Sequence, residues 1–355
     1  MKFQEIQDHR WRLVSFGVEL VLLLLGLATA MALEPTREPL KSRIEAGIEF
    51  TLNNQFTRAE SLYLELMREN PQHPMGYFYV GATLQAQMLD AEEYNREQEF
   101  YWFMNRAIHL ADSLSHVGQA DAWVYFYEGS AYIYRSFMKS KRDSWFGAYR
   151  DAVRGVSRLK KALTLDSTLY DAYLGVGSYK YWKSAKVDWL PFVKDERAEG
   201  IRMVEMAIEK GKFVHWVGRD QLCWILMNEH QYDRAQKIAR ENLRNFPRSR
   251  FFKWTLVEIA QRSKNYQLSY PLYQELLGEV RALPGNNHYN ELECLVKLAE
   301  IDWQRKNYLR VQKWCNQALS LKLREDIRKR ARHKLNRLVE LQRLATEQLH
   351  RTTTK

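Results

Sequence analysis

With 355 residues, 46% of them apolar and 13% aromatic, the chain is long enough for two or three ordinary domains or one long array, and apolar enough for a continuous core. Sixteen glycines, eight prolines and no stretch rich in Ser, Gly or Pro exclude low-complexity linkers and favour one contiguous body. Three cysteines exclude a disulfide framework, and a formal charge of +11 favours acidic partners, whether anionic lipid, nucleic acid or protein.

In chain order, the first element is apolar. Arg10-Trp11-Arg12 leads into Leu13–Ala32, densest at Leu20–Ala28, and Ala28-Thr29-Ala30-Met31-Ala32 offers two small-x-small cleavage sites. A basic flank, a short apolar core and such an exit predict a secretory signal peptide over residues 1–32 and export to the periplasm or cell envelope. The alternative is an uncleaved inner-membrane anchor, since Leu13–Ala32 just spans about 30 Å of hydrocarbon. Glu19 inside that span counts against it, at a cost of a few kcal/mol. Lys2, Arg10 and Arg12 are balanced by Glu5, Asp8 and Glu19, so the excess positive charge belongs to the body. Residues 33–39 read as a short linker.

From residue 40 onward apolar positions recur at three and four, with no period-two alternation, which predicts helix after helix. A longer period is superimposed. Gly47 to Gly81 is 34 residues, as are Leu222 to Leu256, Tyr232 to Tyr266 and Ala239 to Tyr273. Four similar turns recur: Asn54-Gln55-Phe56, His230-Gln231-Tyr232, Lys264-Asn265-Tyr266 and Lys306-Asn307-Tyr308. One unit carries Gly47, Phe50, Phe56, Ala59, Tyr63 and Pro71, and another Leu222, Leu226, Tyr232, Ala235, Ala239 and Pro247. These residues resemble the tetratricopeptide repeat, a 34-residue helix–turn–helix unit. The resemblance covers about residues 40–321 and implies an all-α fold: an α-solenoid of about seven helical hairpins, each burying its apolar face on the next.

The array is irregular in its middle. Gly81 to Gly129 and Gly129 to Gly177 are each 48 residues, which lengthens the central units around Met88–Glu99, Met138–Tyr149 and Lys183–Glu199. Over one short stretch, Trp182…Trp189-Leu190-Pro191-Phe192…Glu196-Arg197…Gly200 is similar to a segment of the inclusion-body clearance branch of eukaryotic repeat proteins. Residues 322–355 close the array. Leu323, Ile327, Ala331, Leu335, Leu338, Leu341 and Leu349 form an apolar stripe on a long basic helix, the expected C-terminal cap.

The resemblance implies that partners are met by the first helix of each unit, on the concave face. There the register places Phe78, Trp123, Phe126, Tyr134, Tyr181, Trp182, Trp224, Trp254 and Trp303, an aromatic stripe suited to extended peptides or sugar rings, or else to packing by the lengthened helices. The basic and amide clamp that some members use for a C-terminal carboxylate is missing from the matching positions. Two basic surfaces stand out. Arg150, Arg154 and Arg158 follow at steps of four, opposite Val153, Val156, Leu159 and Ala162. Arg324, Arg328, Lys329, Arg330, Arg332, Lys334 and Arg337 mark the cap. Both read either as solvated faces or as contacts for an anionic membrane surface or an acidic protein.

The sequence offers no pattern for catalysis or a cofactor. There is no HExxH, no GxSxG, no phosphate-binding glycine loop and no His–Cys pairing at ligand spacing, so no metal or small-molecule substrate is expected. Without a nucleic-acid-binding motif the charge does not imply nucleic acid. Cys223, Cys294 and Cys315 read as buried thiols, with a Cys294–Cys315 bridge the alternative in an exported chain. The reading is a non-enzymatic scaffold of the cell envelope that binds a protein or peptide on its concave face. Its alternatives are a glycan- or peptidoglycan-binding module using the aromatic groove, and a membrane-anchored adaptor whose repeats face the cytosol.

Overall fold

The computed structural model describes residues 33–186 and 194–353. The expected leader, 1–32, lies outside them, as do residues 187–193 of the third lengthened stretch. Among the described residues there are sixteen helices and no strand. The first fourteen pair into hairpins in chain order: α1 (Leu40–Leu52) with α2 (Phe56–Glu69), α3 (Pro74–Ala91) with α4 (Glu97–His116), α5 (Ala122–Lys141) with α6 (Trp145–Leu165), α7 (Asp171–Lys186) with α8 (Arg197–Lys210), α9 (His215–Asn228) with α10 (Tyr232–Asn245), α11 (Arg250–Arg262) with α12 (Tyr266–Arg281), and α13 (Tyr289–Gln304) with α14 (Tyr308–Leu319). Two more, α15 (Glu325–Arg330) and α16 (Arg332–Thr353), follow.

The recurring turn triads are one structural device. The first residue of each (Asn54, His230, Lys264, Lys306) has a positive φ of 57–60°. The N–H of the second reaches back to the carbonyl five residues earlier: Gln55 to Phe50 and Gln231 to Leu226 at 2.8 Å, Asn265 to Ala260 at 2.8 Å, Asn307 to Asp302 at 2.9 Å. That bond satisfies a carbonyl orphaned at the helix end. Asn265 and Asn307 then cap the next helix, accepting from the N–H of Leu268 and Arg310. A left-handed residue followed by an amide and an aromatic therefore reverses the chain in only a few residues.

Small residues set how closely the helices approach. A Cβ on Gly155 of α6 would stand 2.8 Å from the carbonyl oxygen of Gly129 on α5, and one on Gly129 would stand 2.8 Å from that of Gly155. Gly177 and Gly200 repeat this between α7 and α8, at 2.7 and 2.6 Å. These two lengthened hairpins are thus joined backbone to backbone, and only glycine fits there; in α3–α4, Gly81 instead faces the Met104 side chain.

The two ends of the solenoid meet. Leu52 at the end of α1 packs with Phe246 and Phe252 from the α10–α11 region. Asn54 donates to the Arg248 carbonyl at 2.5 Å and accepts from the Arg250 N–H at 3.3 Å. The Arg250 guanidinium holds both carboxylate oxygens of Asp90 at 2.8 and 2.5 Å. Asn290 donates to the Asp90 carbonyl and Asn287 to those of Ala91 and Glu92. One superhelical turn therefore closes: hairpins one and two touch hairpins five to seven.

The cap completes that closure, and it is not one long helix. The chain breaks at Ala331, so α15 reaches toward the α3–α4 turn while α16 lies along α13 and α14. Ile327, Ala331, Leu338 and Leu341 are fully buried, as the apolar stripe requires. All three cysteines are free and buried, and no Cys294–Cys315 bridge forms. Burial raises each thiol above its ordinary pKa, that of Cys315 to about 11.

Candidate interaction surfaces

Counted from the small residue of each first helix, the aromatics share one face. Phe78 lies three before Gly81, Phe126 three and Trp123 six before Gly129, and Trp182 five after Gly177; Trp224 lies one after Cys223 and Trp254 three before Val257. Steps of three and four keep a residue on one side of a helix. The stripe nonetheless has two fates.

Phe78, Trp123 and Phe126 are buried and line no open groove. Their rings fill the space between α3 and α5 themselves. Phe78 lies 5.6 Å from Tyr127 and 5.2 Å from Tyr134, and Trp123 lies 5.3 Å from Phe126 and 5.7 Å from Phe213. The Phe78–Tyr134 and Trp123–Phe126 pairs meet edge-on, which adds to the burial of the rings. Tyr181 is fully buried as well. Phe78, Trp123 and Phe126 sit where α3 packs against α5, whereas Tyr181 is buried against hairpin five, its hydroxyl donating to Glu229 at 2.6 Å.

Trp182, Trp224, Trp254 and Trp303 are half-buried. Trp182 and Trp224 rest on the core of hairpins four and five, Trp254 and Trp303 on that of hairpins six and seven. Trp224 is held most firmly: its Nε1–H donates to Asp220 at 3.2 Å, and the Arg262 guanidinium sits 5.8 Å over its ring. Thr255 donates to the other Asp220 oxygen at 2.6 Å. Burial outweighs both donors and pushes the Asp220 carboxyl up to about 7.

The basic residues also divide. On α6, Arg158 pairs with Glu128 at 2.7 Å and Asp112 at 3.2 Å, so it is a structural cation; burial still pushes Glu128 up to about 7. Arg150 and Arg154 are exposed and take part in no ion pair among the described residues. Arg328 and Arg332 of the cap are likewise exposed. Their neighbours are committed: Arg330 binds the Glu92 carboxylate at 2.5 Å, Arg324 binds Glu93 at 2.9 Å, and Lys334 binds Glu293 at 2.7 Å and lies 3.8 Å over the Tyr289 ring. Much of the cap's charge serves closure.

One feature escaped the sequence reading. Trp145, Phe146 and Tyr149, at the start of α6, are 61%, 80% and 62% exposed. Phe137 of α5 is exposed too, and so is Val153, the one member of the stripe opposite the arginines that is not covered. The signal was available as Trp145, Tyr149 and Val153 at steps of four, adjoining Phe146, Arg150 and Arg154 at the same spacing. Among the described residues, no group of three or more His, Cys, Asp or Glu could hold a metal ion. A shallow cavity of about 380 Å³ lies between Trp216, Arg219 and Arg244, with Arg219 already bound to Glu241 and Asn242.

The repeat register, the shared turn and the stacked hairpins together decide the fold. The chain has the tetratricopeptide-repeat fold. No protein-family model matches the sequence, and no curated protein matches it. Solved structures similar to this tetratricopeptide array include the C-terminal part of a TPR repeat-containing protein from Cytophaga hutchinsonii, with TM-score 0.41 and 16% identity over 80% of this chain and 97% of that one. A tetratricopeptide repeat protein from Parabacteroides merdae aligns with TM-score 0.39 and 13% identity over 86% and 98%. The human IFIT1 dimer with m7Gppp-AAAA aligns with TM-score 0.42 and 15% identity over 83% and 68%.

Proposed function

We propose that this chain is a non-enzymatic interaction scaffold of the cell envelope. It takes a peptide or protein partner along the first-helix tryptophans of its C-terminal half, Trp182, Trp224, Trp254 and Trp303. The observation that carries the reading is the split stripe: one register, filled by its own rings in hairpins two and three and left half-open from hairpin four onward. Half-exposed tryptophans on a preformed wall supply contact area at little entropic cost. The envelope location rests on the apolar segment Leu13–Ala32.

Affinity purification of the full chain with Trp224→Ala and Trp254→Ala tests it: a partner retained by the wild type should be lost from the double variant with no fall in melting temperature beyond a few degrees. Retention of the same partner would sink the proposed face. Quenching of tryptophan fluorescence by soluble cell-wall fragments, without any protein, would favour the glycan-binding alternative. Finding Met1 intact with the repeats protected on the cytosolic side would favour the adaptor.

A further inference from the structure

The start of α6 packs one face onto α5, through Ala148 and Asp151, and turns another face outward. Two adjacent rows run along it, one of Trp145, Tyr149 and Val153, the other of Phe146, Arg150 and Arg154, and all six side chains are exposed. Exposed large apolar side chains gathered in one place mark an interaction site. On α6 itself the exposed charge is all positive. Along Trp145–Leu165 the sole acidic residue is Asp151, which is buried and neutralised by Lys139 at 2.6 Å and Arg135 at 3.0 Å. Arg150 and Arg154 stay free, Lys160 and Lys161 continue the exposed cationic face, and Lys186 of α7 reaches 5.9 Å over the Trp145 ring. The acidic residue Asp143 sits in the turn itself.

We infer that this edge docks on an anionic lipid bilayer, with Trp145, Phe146 and Tyr149 entering the headgroup layer and Arg150 and Arg154 meeting lipid phosphates. Tryptophan and tyrosine favour the membrane–water interface because one end of each is apolar and the other hydrogen-bonds. A helix with an aromatic row beside an unpaired arginine row matches a surface that is apolar beneath and anionic above. The surface is an exposed helix face rather than a channel, so it lacks the groove that tracks a nucleic-acid strand. The inference goes beyond the protein-docking reading and stands on different residues.

The test uses the full chain with Ser144→Cys, an exposed turn position next to Trp145 whose side chain caps nothing. It carries an environment-sensitive fluorophore; the three native thiols are buried and unreactive. Vesicles of phosphatidylglycerol and phosphatidylcholine should shift the label's emission to the blue, and high salt should reverse the shift. Adding Arg150→Ser and Arg154→Ser should weaken the response roughly 10- to 30-fold, from about 1 kcal/mol per basic residue. Adding Phe146→Ser and Tyr149→Ser should abolish it. The local label separates this edge from residues 13–32, which could carry the chain to any bilayer. Vesicle-bound protein with an unshifted label would overturn the inference and leave the envelope reading intact. So would an equal shift on pure phosphatidylcholine, or a shift produced by single-stranded RNA or an acidic polypeptide but not by vesicles.

Discussion

The two lengthened turns that lie side by side at one edge of the molecule have opposite roles. The α3–α4 turn is tied down by several side chains. Glu92, in the left-handed conformation, binds Lys141 at 3.0 Å and Arg330 at 2.5 Å, and Tyr94 lies beneath the guanidinium groups of Arg142 and Arg330. The α5–α6 turn is anchored by Arg142 to Glu97, yet the large side chains that follow it, Trp145, Phe146 and Tyr149, stay mostly exposed. Both insertions lengthen a hairpin by similar amounts, yet one closes the solenoid and the other exposes rings. An insertion in a repeat array can therefore serve the fold or a partner, and the presence or absence of contacts at its tip tells which.

Four measurements would break or sharpen that comparison, from the largest effect down. Removing the Asp90 carboxylate (Asp90→Ala) strands the nearly buried Arg250 guanidinium and should cost about 3 kcal/mol in urea unfolding. A wider radius of gyration should accompany it if the ion pair holds the turn of the superhelix closed; an unchanged radius would show that Leu52 and the asparagine bonds suffice. The second effect is a pH dependence that loads α9 and leaves both turns' ion pairs intact. The Asp220 carboxyl, raised by burial to about 7, lets the folded state bind more protons than the unfolded state between the ordinary carboxylate range and pH 7. Its contribution is therefore present at low pH and lost as pH rises, by roughly 2–3 kcal/mol between pH 5 and pH 8. Asp220→Asn should flatten that slope in thermal melts.

Third, Gly155→Ala places a methyl against the Gly129 carbonyl and should destabilise by about 2 kcal/mol, because the root of the α5–α6 hairpin is packed even though its tip is free. Smallest is Phe146→Ser, expected to change stability by less than about 0.5 kcal/mol. A larger loss would mean that the exposed rings support the fold after all, and the contrast between the two turns would fail.

Much of the fold was legible in the chain. The 34-residue spacing, the small residues at Gly47, Ala59 and Ala235, and the turn triads each report a local requirement: close helix approach, a filled groove, a left-handed reversal. Local requirements leave local signatures, so hairpin count, lengthened units and capping stripe could be read in advance. The candidate surfaces were less legible. Phe78 and Trp224 occupy one register, and nothing near them in the sequence tells which ring is covered.

What the sequence determined alone was the unit: its helices, its turns and the face each helix buries, because 3.6-residue periodicity and capping act over a few residues. What the tertiary structure alone decided was how far the superhelix turns. That set Asp90 against Arg250 and Glu92 against Arg330, residues 160 and 238 positions apart. Packing between hairpins buried Phe78, Trp123 and Phe126 and left Trp145, Phe146 and Tyr149 largely exposed. Closure is the sum of small rotations between successive hairpins, and such a sum is written in no single repeat.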